Sequence, residues 1–260
     1  MKVVILCGGQ GTRLREETEV RPKPMVEIGG RPILWHIMKL YAHHGFRDFL
    51  LCLGYKGYVV KDFFLHYEAR TKDFTVHIGA QRKVEFHDSQ PEEGWTVTLA
   101  ETGEATLTGA RLHRIGAYLG RGPFCVTYGD GVADVDIRGL VEFHKAHGKL
   151  GTITGVRPVG RFGELEVDAE RVTHFAEKPQ ATGGLINGGF FVFEREFIDR
   201  YLDGREDLSL EQEPLQRLAG DGELMVWRHD GFWQPMDTYR EWRVLEELWR
   251  EGRAPWKIWN

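Results

Sequence analysis

The sequence predicts a doubly wound α/β fold, a mixed sheet with helices on both faces, and three observations carry that expectation. Short apolar runs of strand length alternate with segments of helical periodicity through residues 1–150, the pattern of parallel βαβ units. The 260 residues are 42% hydrophobic and 12% aromatic, enough to bury one large core or two that share a sheet. A glycine-rich turn leaves the first apolar run, at the edge where open α/β sheets bind ligands.

The elements follow in order. Residues 3–6 read as a buried strand. Pro32 suits the first turn of a helix in which Ile33, Ile37, Leu40 and Tyr41 recur at helical spacing until Gly45 stops it. Residues 49–53 form a second strand and 59–67 a second helix, and strands at 74–78 and 95–101 flank a charged, turn-rich segment at 82–94. A helix at 111–119, a strand at 124–128 and a helix at 137–147 complete a Rossmann-like unit of nucleotide-binding type. Over residues 151–260 the texture changes to shorter alternating strands, at 152–156, 164–167, 172–175 and 189–193, with an antiparallel character. This smaller β-rich part is expected to wall the substrate, within one continuous domain.

A closing helix at 238–251 places Trp242, Leu245 and Trp249 on one face, which predicts core packing or a subunit interface. A stacking platform for nucleic-acid bases is disfavoured, because 34 basic against 39 acidic residues give a net charge of −5 without long runs of either sign. The same balance argues against a membrane-surface role. No apolar run reaches the ~18 residues of a membrane span, and the N-terminus lacks the layout of a signal peptide. The three cysteines, Cys7, Cys52 and Cys125, lie in or beside apolar strands with no metal-site spacing. Buried thiols in a reducing cytoplasm are the expectation.

The stretch Leu6-Cys7-Gly8-Gly9-Gln10-Gly11-Thr12-Arg13 decides the chemistry. A P-loop requires GxxxxGK[ST], and Gly11 is followed by Thr12-Arg13 instead. A dinucleotide fingerprint requires a third glycine where Leu14 stands. What remains is a G-G-x-G-x-R loop whose amides can surround a triphosphate while Arg13 supplies a forked, permanent charge; taken alone, it could also be a surface turn. Arg21-Pro22-Lys23-Pro24 follows, with the two prolines holding Lys23 on a stiff, extended segment. Two fixed cations after a glycine loop suit phosphoryl or nucleotidyl transfer. Asp130, in Tyr128-Gly129-Asp130-Gly131, follows the strand at 124–128 and emerges at the same sheet edge, although a turn role is equally open. Asp237 could be part of the start of the last helix. The helical pair His144 and His147 lacks a third metal ligand and reads as an exposed face. Asp134-Val135-Asp136 has the spelling of a glycosyltransferase metal motif, yet it lies where helix-start acids are ordinary.

GGQGTRL followed by RPKPMVEIGGRPILWHIMKLY resembles the sugar-1-phosphate nucleotidylyltransferases. The further runs GYKGYVVKDFF, TYGDGVADVDI, INGGFFV and GFWQPMDT are similar to their glucose-1-phosphate cytidylyltransferase branch, and the resemblance spans essentially the whole chain. It implies transfer of a nucleotidyl group from CTP to glucose 1-phosphate, in a homo-oligomer that supplies an activated sugar for deoxysugar or O-antigen-type polysaccharide synthesis. It implies that Asp130 and Asp237 hold one Mg²⁺ beside the phosphates, and that Gly129 lies in the nucleotide site. The smaller β-rich part becomes the sugar wall: Lys178 meets the sugar phosphate, Glu177 the sugar hydroxyls, and Asn187 and Gly188 stand beside them. Thr106 and Arg111 are implied as contacts of the cytidine, the arginine donating to base acceptors. Lys23 and Arg13 complete the catalytic set with Asp130 and Lys178. Cys7 and Ala110 stand where the family pattern has alanine and glycine, so UTP, dTTP or another sugar phosphate remain alternatives. A non-catalytic, ligand-binding relative would be expected to lose Asp130, Lys23 or Arg13.

Overall fold

A computed structural model describes residues 1–9, 11, 14–79, 83–87, 94–157, 164–168, 171–176 and 184–259. Gln10, Thr12, Arg13, Glu177 and Lys178 lie outside the described residues. The core is a seven-stranded sheet. Its strands in chain order are β1 (Lys2–Leu6), β2 (Asp48–Leu53), β3 (Thr96–Glu101), β4 (Phe124–Tyr128), β5 (Gly151–Val156), β6 (Ile186–Phe193) and β7 (Leu224–His229). In space they run β7-β5-β6-β4-β1-β2-β3. β1 pairs in parallel with β2 and β4, placing Val3 beside Phe49 and Cys125. β6 runs antiparallel to both β4 and β5, and β7 closes the edge parallel to β5.

Alternation along each strand sorts the apolar side chains into two cores, one on each sheet face. Val3, Ile5, Phe49, Leu51 and Cys125 meet helices α1 (Ile33–His43), α2 (Gly57–Leu65), α4 (Ile137–His147) and α7 (Tyr239–Arg250). Val4, Leu6, Leu50, Cys52 and Val126 meet α3 (Thr108–Arg114), α5 (Arg195–Tyr201) and α6 (Glu213–Gly220). The fold is therefore the doubly wound mixed sheet that the alternation of runs predicts. Among the described residues, no helix is long and apolar enough to cross a membrane.

Several elements differ from the sequence pattern for identifiable reasons. The strand expected at 74–78 is Phe74–His77, and it leaves the main sheet to pair with Lys83–Phe86 in an exposed ribbon. Glu164–Asp168 and Arg171–Ala176 likewise form a two-stranded ribbon of their own. α3 starts at Thr108, three residues before its expected start, because the backbone N–H groups of Gly109 and Ala110 donate to the Leu208 carbonyl of a distant loop. That external partner satisfies the first turn where no side chain caps it. α5, α6 and β7 are not legible from residue pattern, since short amphipathic segments of this size carry little periodicity.

The tryptophan face of α7 packs within the chain. Leu245 is fully buried, Trp242 Nε1 donates to the Glu27 carbonyl, and Trp249 lies over Gly29, whose missing Cβ makes room for the indole. A capping box, Thr238 with Glu241, starts the helix.

The pair His144 and His147 is a correction. His144 is wholly buried, because Thr152 on β5 supplies a hydroxyl that both rings use. Lys149 N–H donates to His147 Nδ1, which leaves the proton on Nε2 to donate to Thr152 Oγ1. The hydroxyl proton then goes to His144 Nδ1, so both rings are neutral. Burial first, and then neighbouring His147 and Lys145, push His144 down to about 4. The fold favours the neutral ring, whereas the unfolded chain takes up a proton near the ordinary value of 6.5. The contribution of His144 to stability is complete above that value and is lost as pH falls towards 4. Urea unfolding at constant ionic strength should show stability decreasing over that interval, with a shallower decrease in the His144→Gln variant; parallel curves for the two proteins would contradict the assignment.

Candidate active site

The site forms at the C-terminal ends of β1, β3 and β4, around a cavity of about 450 Å³. Val-Val-Ile-Leu is buried on both sheet faces, so β1 must end where the apolar run ends, and the chain emerges as Cys7-Gly8-Gly9 at the cavity wall. Gly8 needs its lack of a side chain, since a Cβ would fall 2.0 Å from the Arg111 guanidinium carbon. Gly11 takes a positive φ of 62°, and its carbonyl accepts from the Leu14 N–H and the Thr18 hydroxyl, which ties Gly11 to the segment that follows it. Burial first, with Cys52 close by, pushes the Cys7 thiol well above its ordinary value, so the sulfur lines the cavity as a neutral group.

Lys23 is not extended as the flanking prolines suggest: only Pro22 is, at φ −70° and ψ 153°, and Lys23–Met25 form a single 3₁₀ turn closed by the Met25 and Val26 N–H groups on the Pro22 and Lys23 carbonyls. Its ammonium donates to Asp130 Oδ2 at 2.7 Å and to Asp237 Oδ1 at 2.5 Å. Burial is the largest single influence and pulls its pKa down, but Asp130 and Asp237 together more than offset it and hold the value above 10.5. The lysine is a permanent cation in its buried seat.

The two aspartates come from distant sequence because of a short antiparallel ribbon. Gly131–Ala133 pairs with Trp233–Pro235, with Pro235 opposite Gly131, and Met236 N–H donates to the Asp130 carbonyl. Asp130 precedes one strand and Asp237 follows the other, so the antiparallel direction lays the two carboxylates side by side. Glu241 Oε2 accepts from the Asp237 and Thr238 N–H groups and fixes the second one. Asp237 therefore sits just outside the cap of α7, and Thr238 performs the capping.

The opposite wall is built by Arg111. Its Nη1 donates to the Leu53 carbonyl at 2.9 Å and the Thr102 hydroxyl at 2.7 Å, and its Nη2 to the carbonyls of Gly8 and Glu104 at 3.1 and 3.3 Å. One planar fork thus joins the loops that follow β1, β2 and β3. Thr106 is buried on the same wall, and its hydroxyl accepts from Arg114 Nη1 at 2.7 Å.

Leu6, Cys7, Gly8, Gly9 and Gly11 therefore share one cavity with Lys23, Thr106, Arg111, Gly129, Asp130 and Asp237. Asn187 and Gly188 begin β6 and reach it indirectly: Asn187 Nδ2 donates to the Tyr128 hydroxyl at 3.1 Å, and Tyr128 lines the cavity. Sequence reasoning passes over Tyr128, Arg114 and Glu211. Tyr128 stands at the end of a strand one residue before Gly129, a signal that was available; Glu211 lies in a charged loop with no motif. Asp136 is the N-cap of α4, accepting from Gly139 N–H, and Asp134 lies 3.1 Å from His229, so the D-x-D spelling is structural. Among the described residues no group of three potential ligands is placed to hold a metal ion.

Residues 2–234 match the family model described as nucleotidyl transferase. The chain is 54% identical over 261 aligned residues to the glucose-1-phosphate cytidylyltransferase of Salmonella typhi, with the whole of both chains covered. Among solved structures, UDP-glucose pyrophosphorylase complexed with UDP-glucose matches with a TM-score of 0.69 at 12% identity, over 97% of this chain and 99% of that one. HddC from Yersinia pseudotuberculosis matches with the same TM-score at 23% identity, over 95% and 99%. These two likenesses show a shared fold. The family match and the full-length identity show more: the chain belongs to the nucleotidyl transferase family and stands within it among the glucose-1-phosphate cytidylyltransferases.

Proposed function

We propose that the protein joins CTP to α-D-glucose 1-phosphate, forming CDP-glucose and releasing pyrophosphate. The observation that carries the chemistry is Lys23, held between Asp130 and Asp237 beside the glycine loop; the full-length identity to a cytidylyltransferase carries the choice of substrates. A phosphate oxygen of the sugar attacks the α-phosphorus, a new P–O bond forms, and the bond to the β-phosphate breaks. The nucleophile is already an anion, so positioning and charge neutralisation suffice.

The glycine-loop amides and Arg13 hold the β- and γ-phosphates of the nucleotide. Lys23 uses two of its three N–H donors on the aspartates, which leaves one for an α-phosphoryl oxygen as charge builds in the transition state. Thr106 and Arg111 form the base side, with Arg111 acting chiefly through the three loops it fixes. Lys178 presents the sugar phosphate, with Glu177, Asn187 and Gly188 as the sugar wall. Asp130 and Asp237 converge from two chain segments onto one cation, and such hard oxygen donors suit Mg²⁺. When bound there, the ion would neutralise phosphate charge and favour departure of pyrophosphate. Homo-oligomeric assembly in the cytoplasm belongs to the same proposal.

Pyrophosphate release should be measured with glucose 1-phosphate and Mg²⁺ across CTP, UTP, dTTP, ATP and GTP. Release with CTP is expected; none with any triphosphate would remove the transferase proposal, and release with UTP alone would move the base assignment. Lys23→Ala should lower kcat by about 10²–10³-fold with a smaller change in KM, and wild-type turnover would take Lys23 out of the mechanism. Arg111→Lys replaces a fork with a point charge that cannot reach four acceptors, so a loss of about 1–3 kcal/mol in stability and a higher KM for CTP are expected in denaturation and initial-rate measurements.

A further inference from the structure

Tyr128, Asn187 and Glu211 form a hydrogen-bonded chain whose direction the structure determines. Gly189 N–H donates to Asn187 Oδ1 at 2.8 Å. A backbone N–H only donates, so that contact fixes the amide, and its Nδ2 must face Tyr128 as donor, at 3.1 Å. The Tyr128 oxygen, accepting from Asn187, sends its own proton to Glu211 Oε1 at 2.6 Å. Glu211 accepts twice more on Oε2, from Thr108 at 2.7 Å and Ser209 at 2.6 Å. Burial first, and then the Glu211 charge, raise the Tyr128 pKa, which keeps the phenol a neutral donor.

The ring is held as firmly as the hydroxyl. Gly189 has φ of +80°, and a Cβ there would come within 2.6 Å of the Tyr128 ring, so only glycine lets β6 lie flat against it. Thr108, Ser209, Glu211 and Tyr128 line the cavity, Tyr128 directly precedes Gly129 and Asp130, and Asn187 joins the chain from behind Tyr128 at the start of β6.

We infer that Glu211 is a positioning residue for the sugar phosphate, which orients Tyr128 and through it the Asn187 amide, whose second Nδ2 hydrogen is left to serve the sugar 1-phosphate. This inference rests on the proposed transferase activity and on Asn187 as part of the sugar wall. Glu211→Ala removes the acceptor, frees the Tyr128 proton and loosens the amide. Glu211→Gln keeps an oxygen that can accept from Tyr128. Tyr128→Phe deletes the middle link while keeping the ring on Gly189.

Initial rates with each substrate varied against saturating partner test it, together with thermal denaturation of every variant. Glu211→Ala and Tyr128→Phe should raise KM for glucose 1-phosphate about tenfold, the value of one well-placed hydrogen bond, with KM for CTP within twofold, and Glu211→Gln should restore most of the loss. Equal increases in both KM values that track a lower melting temperature, or an unchanged KM for the sugar phosphate, would overturn the positioning role. Absence of turnover in the wild-type protein would instead count against the transferase proposal itself, so the two failures are distinguishable.

Discussion

The ion pair of Lys23 with Asp130 and Asp237 is the constraint around which the site is arranged. Burial disfavours the charge on Lys23 and the two carboxylates more than offset that cost, while the ammonium between them bridges Asp130 and Asp237. Each member requires its own piece of fold. Pro22 and Pro24 hold the lysine, the end of β4 delivers Asp130, and the ribbon between Gly131–Ala133 and Trp233–Pro235 returns the chain to bring in Asp237. The parallel strands do the common work of ending at one edge.

Arg111 answers a different difficulty. Loops leaving parallel strands diverge, and few of their carbonyls have ladder partners beyond the sheet edge. By accepting from one guanidinium, in addition to the N–H groups that Gly8 and Leu53 already meet, the carbonyls of Gly8, Leu53 and Glu104 are held in a fixed relation. The glycine at position 8 is then explained by the arginine as much as by a ligand, because the fork occupies the space of its missing side chain.

Much of this was legible in the residues. Long apolar runs such as 49–53 and strongly periodic segments such as 137–147 encode their own structure, and the places of Gly8, Gly9, Lys23 and Asp130 at one cavity follow from where strands end and where prolines stiffen the chain. Asp237 came from family resemblance, since nothing local distinguishes it from a helix-start acid. Glu211 and Arg114 could not be read at all: their partners, Tyr128 and Thr106, are brought to them by tertiary packing, and a charged residue in a polar loop has no periodicity to betray it. His144 and His147 show the same effect in reverse. Their helical spacing reads as a solvated face, and Thr152, on a later strand, meets both rings.

The ribbon that unites the two aspartates also sets an order in time. During synthesis the glycine loop, Lys23 and Asp130 leave the ribosome well before the segment Trp233–Pro235 exists to pair with Gly131–Ala133. Until that segment arrives, Lys23 has one of its two carboxylates. All seven strands of the sheet thus precede Asp237 in the chain, and the Lys23–Asp237 ion pair is the last link of this cluster that synthesis makes available.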